Sequence, residues 1–417
     1  MGSRRRIHRC VIRNSSEYNK SFNMINDNQL VLLELLKASL FGLVPVIPDS
    51  TDWDKVLEEA NAQTVTAIAA KVVPEAHSGP WKMEVMQNQA RFIRMFHGQT
   101  QLVNLFCKSD IPLVVLKGVA AAKYYPVPCL RSMGDVDILV FQEQFDAAAD
   151  LLRTNGYNCI QEMGVNPRHM EFTKNGILFE LHHHFSSEGF ACDEILKSAM
   201  PRRTECVLDQ HRFPILPEME NGLVLLGHIQ QHLRDNRLGM RQIIDWMMFV
   251  HTCLTDDAWE TSFRRLAQDV GLELLAINIT KLCKNWLGLS DPIFWCDSGD
   301  NQLAEELLSV VFECGNMGRK GVASRSPVEG VSLQIKKYGL FRWLYDYGCK
   351  WWPVAKKHKM LKPLVIMYGI GRLTVKGIKA KQNGTSITEQ MSKGIDRYEL
   401  YKKLGLHFSS FTYKDSK

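Results

Sequence analysis

The chain has no Cys-x-x-Cys pair, and no two of its 11 cysteines stand close enough to frame a zinc site. Their odd number and wide scatter, from Cys10 to Cys349, exclude a disulfide scaffold and read as reduced thiols in a cytoplasmic protein. No apolar core follows the basic start MGSRRRIHRC, which excludes a secretory leader. Arg6 stands where the N-myristoylation pattern needs Ser or Thr. No apolar run is long enough to cross a bilayer, since the best stretch, 30–47, is broken by Glu34 and Lys37 and by Pro45. A recognisable RNA-binding motif is also missing.

Acid is scarce in one region. Between Arg319 and Lys381 there are 15 Lys and Arg residues against two acids, Glu329 and Asp346. That balance of +13 leaves −7 for the rest of a chain whose net charge is +6. The end of the chain is therefore a basic body on an acidic protein. Apolar residues are not scarce: 45% of the 417 residues are hydrophobic and 23% charged, enough for sizeable cores in two or three domains.

The stretch Leu113–Val140, LVVLKGVAAAKYYPVPCLRSMGDVDILV, organises the rest. Leu113 to Leu116 is a short buried strand, followed at once by Lys117 and Gly118. Val119 to Tyr125 forms a short helix that Pro126 and Pro128 end. Asp135 and Asp137 then alternate with apolar residues leading into Ile138-Leu139-Val140. Asp is depleted in strands, and side chains at i and i+2 share a face. Two carboxylates converging on one spot repel unless a cation lies between them, and oxygen-only ligation favours Mg²⁺. The alternative is a turn with solvated acids. A third acid, Glu180, stands alone in the apolar strand Gly176–His184 and demands a cation or a hydrogen-bond cage there, or else faces solvent on an edge. His182 shares its face and is the candidate for a metal-adjacent contact, whereas His183 points the other way as the structural member.

These residues carry a resemblance. Leu116-Lys117-Gly118, Tyr124-Tyr125, Arg131, Asp135-x-Asp137-x-Leu139-Val140 and Glu180-Leu181-His182 together resemble the uncharacterised nucleotidyltransferase family, within the DNA polymerase β-like superfamily. The resemblance implies an α+β fold: a small mixed sheet with helices on one side, flanked by helical regions. It also implies transfer of a nucleoside monophosphate from a nucleoside triphosphate (NTP) to a hydroxyl acceptor, with two Mg²⁺ ions held by Asp135, Asp137 and Glu180. Glu180 doubles as a proton acceptor in this reading. Lys117, Gly118, Arg131 and His182 are the substrate-binding candidates. Lys117 and Arg131 neutralise the triphosphate, Gly118 admits the phosphates close to the backbone, and Arg131 has a competing role in tying its loop to Asp135. Unlike the wider superfamily, Gly118 is followed by Val119, and 16 residues, 119–134, separate it from Asp135.

The expected organisation is a basic arm (1–27), a helical region (28–108), the nucleotidyltransferase core (109–200), a helical bundle (201–315) and a basic, aromatic-rich end (316–417). In the first helical region the Met and Phe stripe of the third helix, from Met83 to Leu102, is read as core. Lys174-Asn175-Gly176 marks a hairpin. In the bundle, His228 and His232 share a helix face, with three readings: zinc, a packed pair, or a pocket role. The aromatic and basic segment 319–381 fits a membrane surface, nucleic acid or a helical cap with solvated lysines. The last residues, 383–417, read as polar and peripheral. Two other functions compete with the enzyme: a nucleotide-binding regulatory protein with weak turnover, and a nucleic-acid tailing enzyme with salt-sensitive binding.

Overall fold

The computed structural model describes residues 25–162, 168–185, 192–320, 339–352, 359–382 and 387–406. The expected basic arm falls almost wholly outside the described residues, as does the stretch 321–338 of the basic, aromatic-rich end.

Three helices lead into the sheet: α1 (Asp27–Phe41), α2 (Trp53–Gln63) and α3 (Ser78–Lys108). α1 begins on a reciprocal cap in which Asn26 and Gln29 each satisfy the other's backbone N–H. α3 has 31 residues, about 46 Å at the helical rise, and it links two cores. Trp81 near its start belongs to the helical core, while Phe92, Phe96 and Phe106 pack on the sheet. Met83, Met86 and Ile93 were expected in that packed stripe but are exposed, because the sheet covers a single face of so long a helix.

The sheet comprises β1 (Leu113–Leu116), β2 (Val136–Val140), β3 (Asn158–Gln161), β4 (His169–Lys174) and β5 (Ile177–His182), in the order β1-β2-β5-β4-β3. α4 (Gly118–Ala122) follows β1 and α5 (Phe145–Thr154) follows β2. β2 and β5 run parallel in the middle, and the other pairs are antiparallel. Val136, Ile138 and Val140 of β2 face α3 and α5 in one apolar core. Asp137 and Leu139 necessarily face the other way. There Val114, Leu116 and Leu139 pack with Leu196 of α6 (Cys192–Ala199) and with Val224.

A hairpin, β6 (Thr204–Leu208) and β7 (His211–Ile215), precedes the helical bundle. The bundle is α7 (Glu218–Asp235), α8 (Met240–Cys253), α9 (Glu273–Trp286) and α10 (Asn301–Cys314). It is not separate from the first helices: Leu32 and Leu36 share a core with Trp246, Phe249, Phe263 and Leu307. Gln63 spans the two parts, donating to Val311 O at 3.1 Å and accepting from Met240 N at 2.9 Å. Each fully buried Leu in that core contributes about 1.5–3 kcal/mol, so the two helical layers stabilise each other.

The chain ends in α11 (Leu340–Trp351), α12 (Lys362–Gln382) and α13 (Ile387–Lys403). The segment expected to be peripheral docks through α13: Leu400, Tyr401 and Leu404 join the helical core, and the Tyr401 hydroxyl donates to Leu233 O at 2.7 Å. Among the described residues no helix is long and apolar enough to cross a membrane, and no disulfide forms.

Candidate functional site

Register brings the three acids together. β2 and β5 pair so that Asp137 lies opposite Glu180, and both side chains rise from the face away from α3. Asp135, two residues earlier, joins them just before β2 begins. Asp135, Asp137 and Glu180 each offer a carboxylate oxygen within 4.8 Å of the others. Asp137 is 1% exposed, its Oδ2 is buried, and that oxygen accepts no hydrogen bond among the described residues. A buried carboxylate oxygen left without a donor is costly, and a cation satisfies it.

The positive groups in contact with the cluster are Lys117 and His182. Lys117 Nζ lies 2.7 Å from Asp137 Oδ1. Its backbone takes φ 48° and ψ −139°, a region that costs a non-glycine residue about 1–3 kcal/mol. Gly118 follows at φ +40°, so the strand-to-helix step bends sharply and turns Lys117 onto the acids. Burial favours a neutral amine, but the charges of Asp137, Asp135 and Glu180 outweigh it and raise the Lys117 pKa.

His182 Nε2 lies 3.1 Å from both Asp137 Oδ1 and Glu180 Oε2, and Nδ1 lies 3.3 Å from His184 O. Both ring nitrogens thus face acceptors, which calls for the imidazolium. Burial opposes that charge, yet the hydrogen bonds to Asp137 and Glu180 push the pKa up to about 9. Burial would raise Glu180, but the His182 hydrogen bond and charge, then Lys117, hold it at about 2. Asp135 is raised by burial and then by the Asp137 charge. His169 of β4 lies against His182, ring centroids 4.7 Å apart and tilted at 50°, and is lowered to about 4 by burial, then by the His182 charge. His183 turns to the opposite face against the Phe145 ring at 4.7 Å.

Arg131 is not among these groups. Its Nε and Nη2 each donate to the Asp245 carboxylate of α8 at 2.7 Å, and the Tyr125 hydroxyl donates to the same carboxylate at 2.6 Å. Buried and held in this way, the guanidinium spends Nε and Nη2 on Asp245, while Nη1 lies 3.4 Å from Ser132 O. The tie to Asp135 also gives way to Asp245.

Sequence reasoning passed over Arg241. It sits in the first turn of α8, and its Nη1 donates to Ser132 O at 3.1 Å. Its Nε is buried with no hydrogen-bond partner among the described residues. Burial and then the charge of Arg131 lower its pKa, while Asp245 and Asp135 oppose them, which puts Arg241 within electrostatic reach of the acids. No motif marks it.

The His228–His232 pair lies on α7 with Nε2 atoms 2.6 Å apart, one donating to the other. Burial, then Lys117 and Arg241, hold His232 down at about 3. Burial and then His232 push His228 well below its usual range. The pair is thus neutral and borders the site. The acids, Lys117 and His182 all come from the sheet and its first turn, while Arg241 and a neutral imidazole pair come from α8 and α7.

A mixed five-stranded sheet with three acids on two parallel neighbours, a lysine at a strand-to-helix turn, and helices packed around it defines an α+β nucleotidyltransferase fold. The family model described as "Uncharacterised nucleotidyltransferase" matches residues 49–288, more than half of the chain. The protein belongs to that family. A search of curated proteins finds no match.

Proposed function

We propose that this protein transfers a nucleoside monophosphate from a nucleoside triphosphate to a hydroxyl acceptor, with Asp135, Asp137 and Glu180 holding two Mg²⁺ ions. The observation that carries this reading is the buried, donorless Asp137 Oδ2 within a trio of converging carboxylates. An all-oxygen donor set of this kind suits a hard divalent cation. When bound, Mg²⁺ withdraws charge from the triphosphate and lowers the pKa of the acceptor hydroxyl.

The chain's own residues do the rest. Lys117 places a point charge beside the acids and against the phosphates. The sharp turn at Gly118 keeps side-chain bulk away from them. The His182 hydrogen bond and charge, then Lys117, keep Glu180 ionised, as a metal ligand must be. Arg241, with a buried N–H unspent, takes the triphosphate role first given to Arg131.

Arg241→Ala is expected to raise the KM for the triphosphate about tenfold while changing kcat less, because one charge-assisted contact is lost. Arg241→Lys recovers part of the loss. Steady-state kinetics of pyrophosphate release, run on both variants, check this.

The direct test incubates the full chain with each of the four α-labelled NTPs, Mg²⁺ and a mixture of small-molecule, sugar, protein and RNA acceptors. Pyrophosphate release and transfer of label are expected with at least one triphosphate, and EDTA abolishes both. Heat stabilisation by NTP without pyrophosphate release would instead assign a binding role. Label transfer to RNA alone would assign a tailing enzyme.

A further inference from the structure

The hairpin of α11 and α12 forms its own small apolar cluster. Cys349 and Val365 pack together with Tyr345 and Leu361 at the edge, apart from the three larger cores. The two helices approach unusually closely. A Cβ on Gly348 would lie 2.3 Å from Val365 O, and one on Gly369 would lie 2.9 Å from Leu344 O. The inner face of α12 is therefore fixed.

Its outer face is not polar, as a solvated helix requires. Leu364, Met367, Tyr368 and Val375 recur at helical spacing on one side, and all are exposed, Met367 at 67%. Phe341 at 74% and Met360 at 93% add to the same hairpin. Between Gly339 and Gln382 the sequence carries ten Lys and Arg residues and a single acid, Asp346. Arg372 lies over the Trp351 ring at 4.1 Å. An exposed apolar stripe in a strongly basic segment marks an interaction surface.

We infer that the α11–α12 hairpin docks onto an anionic lipid surface, lying in the interface with the stripe Leu364, Met367, Tyr368 and Val375 inserted at the acyl boundary and Lys362 and Arg372 meeting the headgroups. Charge complementarity selects this occupant, since ten cations against one acid fit a negative surface. The stripe selects lipid over nucleic acid. Three of its four side chains are aliphatic, whereas a nucleic-acid face relies on stacking rings. The inference does not depend on the proposed catalytic activity.

The test sediments the full chain with vesicles of phosphatidylcholine alone and with vesicles containing about one-third phosphatidylserine. Binding is expected to be at least about tenfold tighter to the anionic vesicles and to weaken as salt rises. Leu364→Glu/Met367→Glu is expected to cut that binding about tenfold or more. Both side chains are exposed, so the far-ultraviolet circular dichroism and pyrophosphate release stay unchanged. A second variant, Lys362→Glu/Arg372→Glu, is expected to lose the preference for phosphatidylserine. Failure to sediment with anionic vesicles overturns the inference, as does equal binding by the wild type and Leu364→Glu/Met367→Glu. So does binding to RNA, or self-association, that depends on the stripe in the absence of vesicle binding.

Discussion

Asp137→Asn is expected to lower pyrophosphate release by about 10³-fold or more, a transition-state loss of roughly 4 kcal/mol, and to leave the fold in place. The reason lies in the charge around residue 137. In the metal-free protein three carboxylates face two cations, Lys117 and His182. Asparagine keeps the shape of the side chain. Its oxygen can still accept from Lys117 and His182, and its amide takes the position of an oxygen that has no donor. Glu180 and Asp135 remain to balance the lysine and the imidazolium, so no buried cation is stranded. What disappears is half of the negative charge that β2 offers to a divalent ion.

The measurement pairs kinetics with binding. Heat stabilisation of the wild type by Mg²⁺ should grow with concentration as mass action requires and should be sharply reduced in Asp137→Asn. A variant that folds and keeps the Mg²⁺ stabilisation of the wild type, or retains more than a tenth of its turnover, would sink the assignment of Asp137 as a ligand.

The acids were legible in the sequence because they break a local rule. Asp135, Asp137 and Glu180 stand in segments whose other residues demand burial, and a buried acid without a partner is rarely tolerated. Lys117 and Gly118 were legible as the step between an apolar strand and an Ala-rich helix. What was not legible depends on distant parts of the chain. Arg131 finds Asp245 114 positions away, and no local pattern encodes that choice. Arg241 reaches the site because α8 packs behind the 131–135 loop. Its neighbours Met240 and Gln242 carry no signal of it. The β6–β7 hairpin was hidden for another reason. Its turn residues Asp209 and Gln210 both take positive φ, and glutamine is not a residue that announces such a turn. α13 was passed over because its sequence is mainly polar, although Leu400, Tyr401 and Leu404 suffice to dock it.

Asp245→Ala is expected to destabilise the protein by about 3–5 kcal/mol, because it leaves the Arg131 guanidinium buried without a counter-charge. Arg131 is 3% exposed and Asp245 2%, so water cannot replace the lost carboxylate. Tyr125 loses its acceptor in the same step. The companion variant Arg131→Met strands the carboxylate instead and should cost a similar amount. The double variant Arg131→Met/Asp245→Leu should recover most of either loss, since apolar side chains of similar volume often replace a buried ion pair at little net cost. Urea unfolding of the four proteins closes the cycle. The cycle also decides between the two roles of Arg131. If it also binds the triphosphate, Arg131→Met raises the KM for NTP about tenfold as well as lowering the urea midpoint. If it only holds α8 to the loop before β2, the midpoint falls and the KM is unchanged. The double variant then regains stability yet keeps an activity defect, because Asp245 also faces Arg241 and its removal leaves that second guanidinium without the carboxylate that offsets its burial.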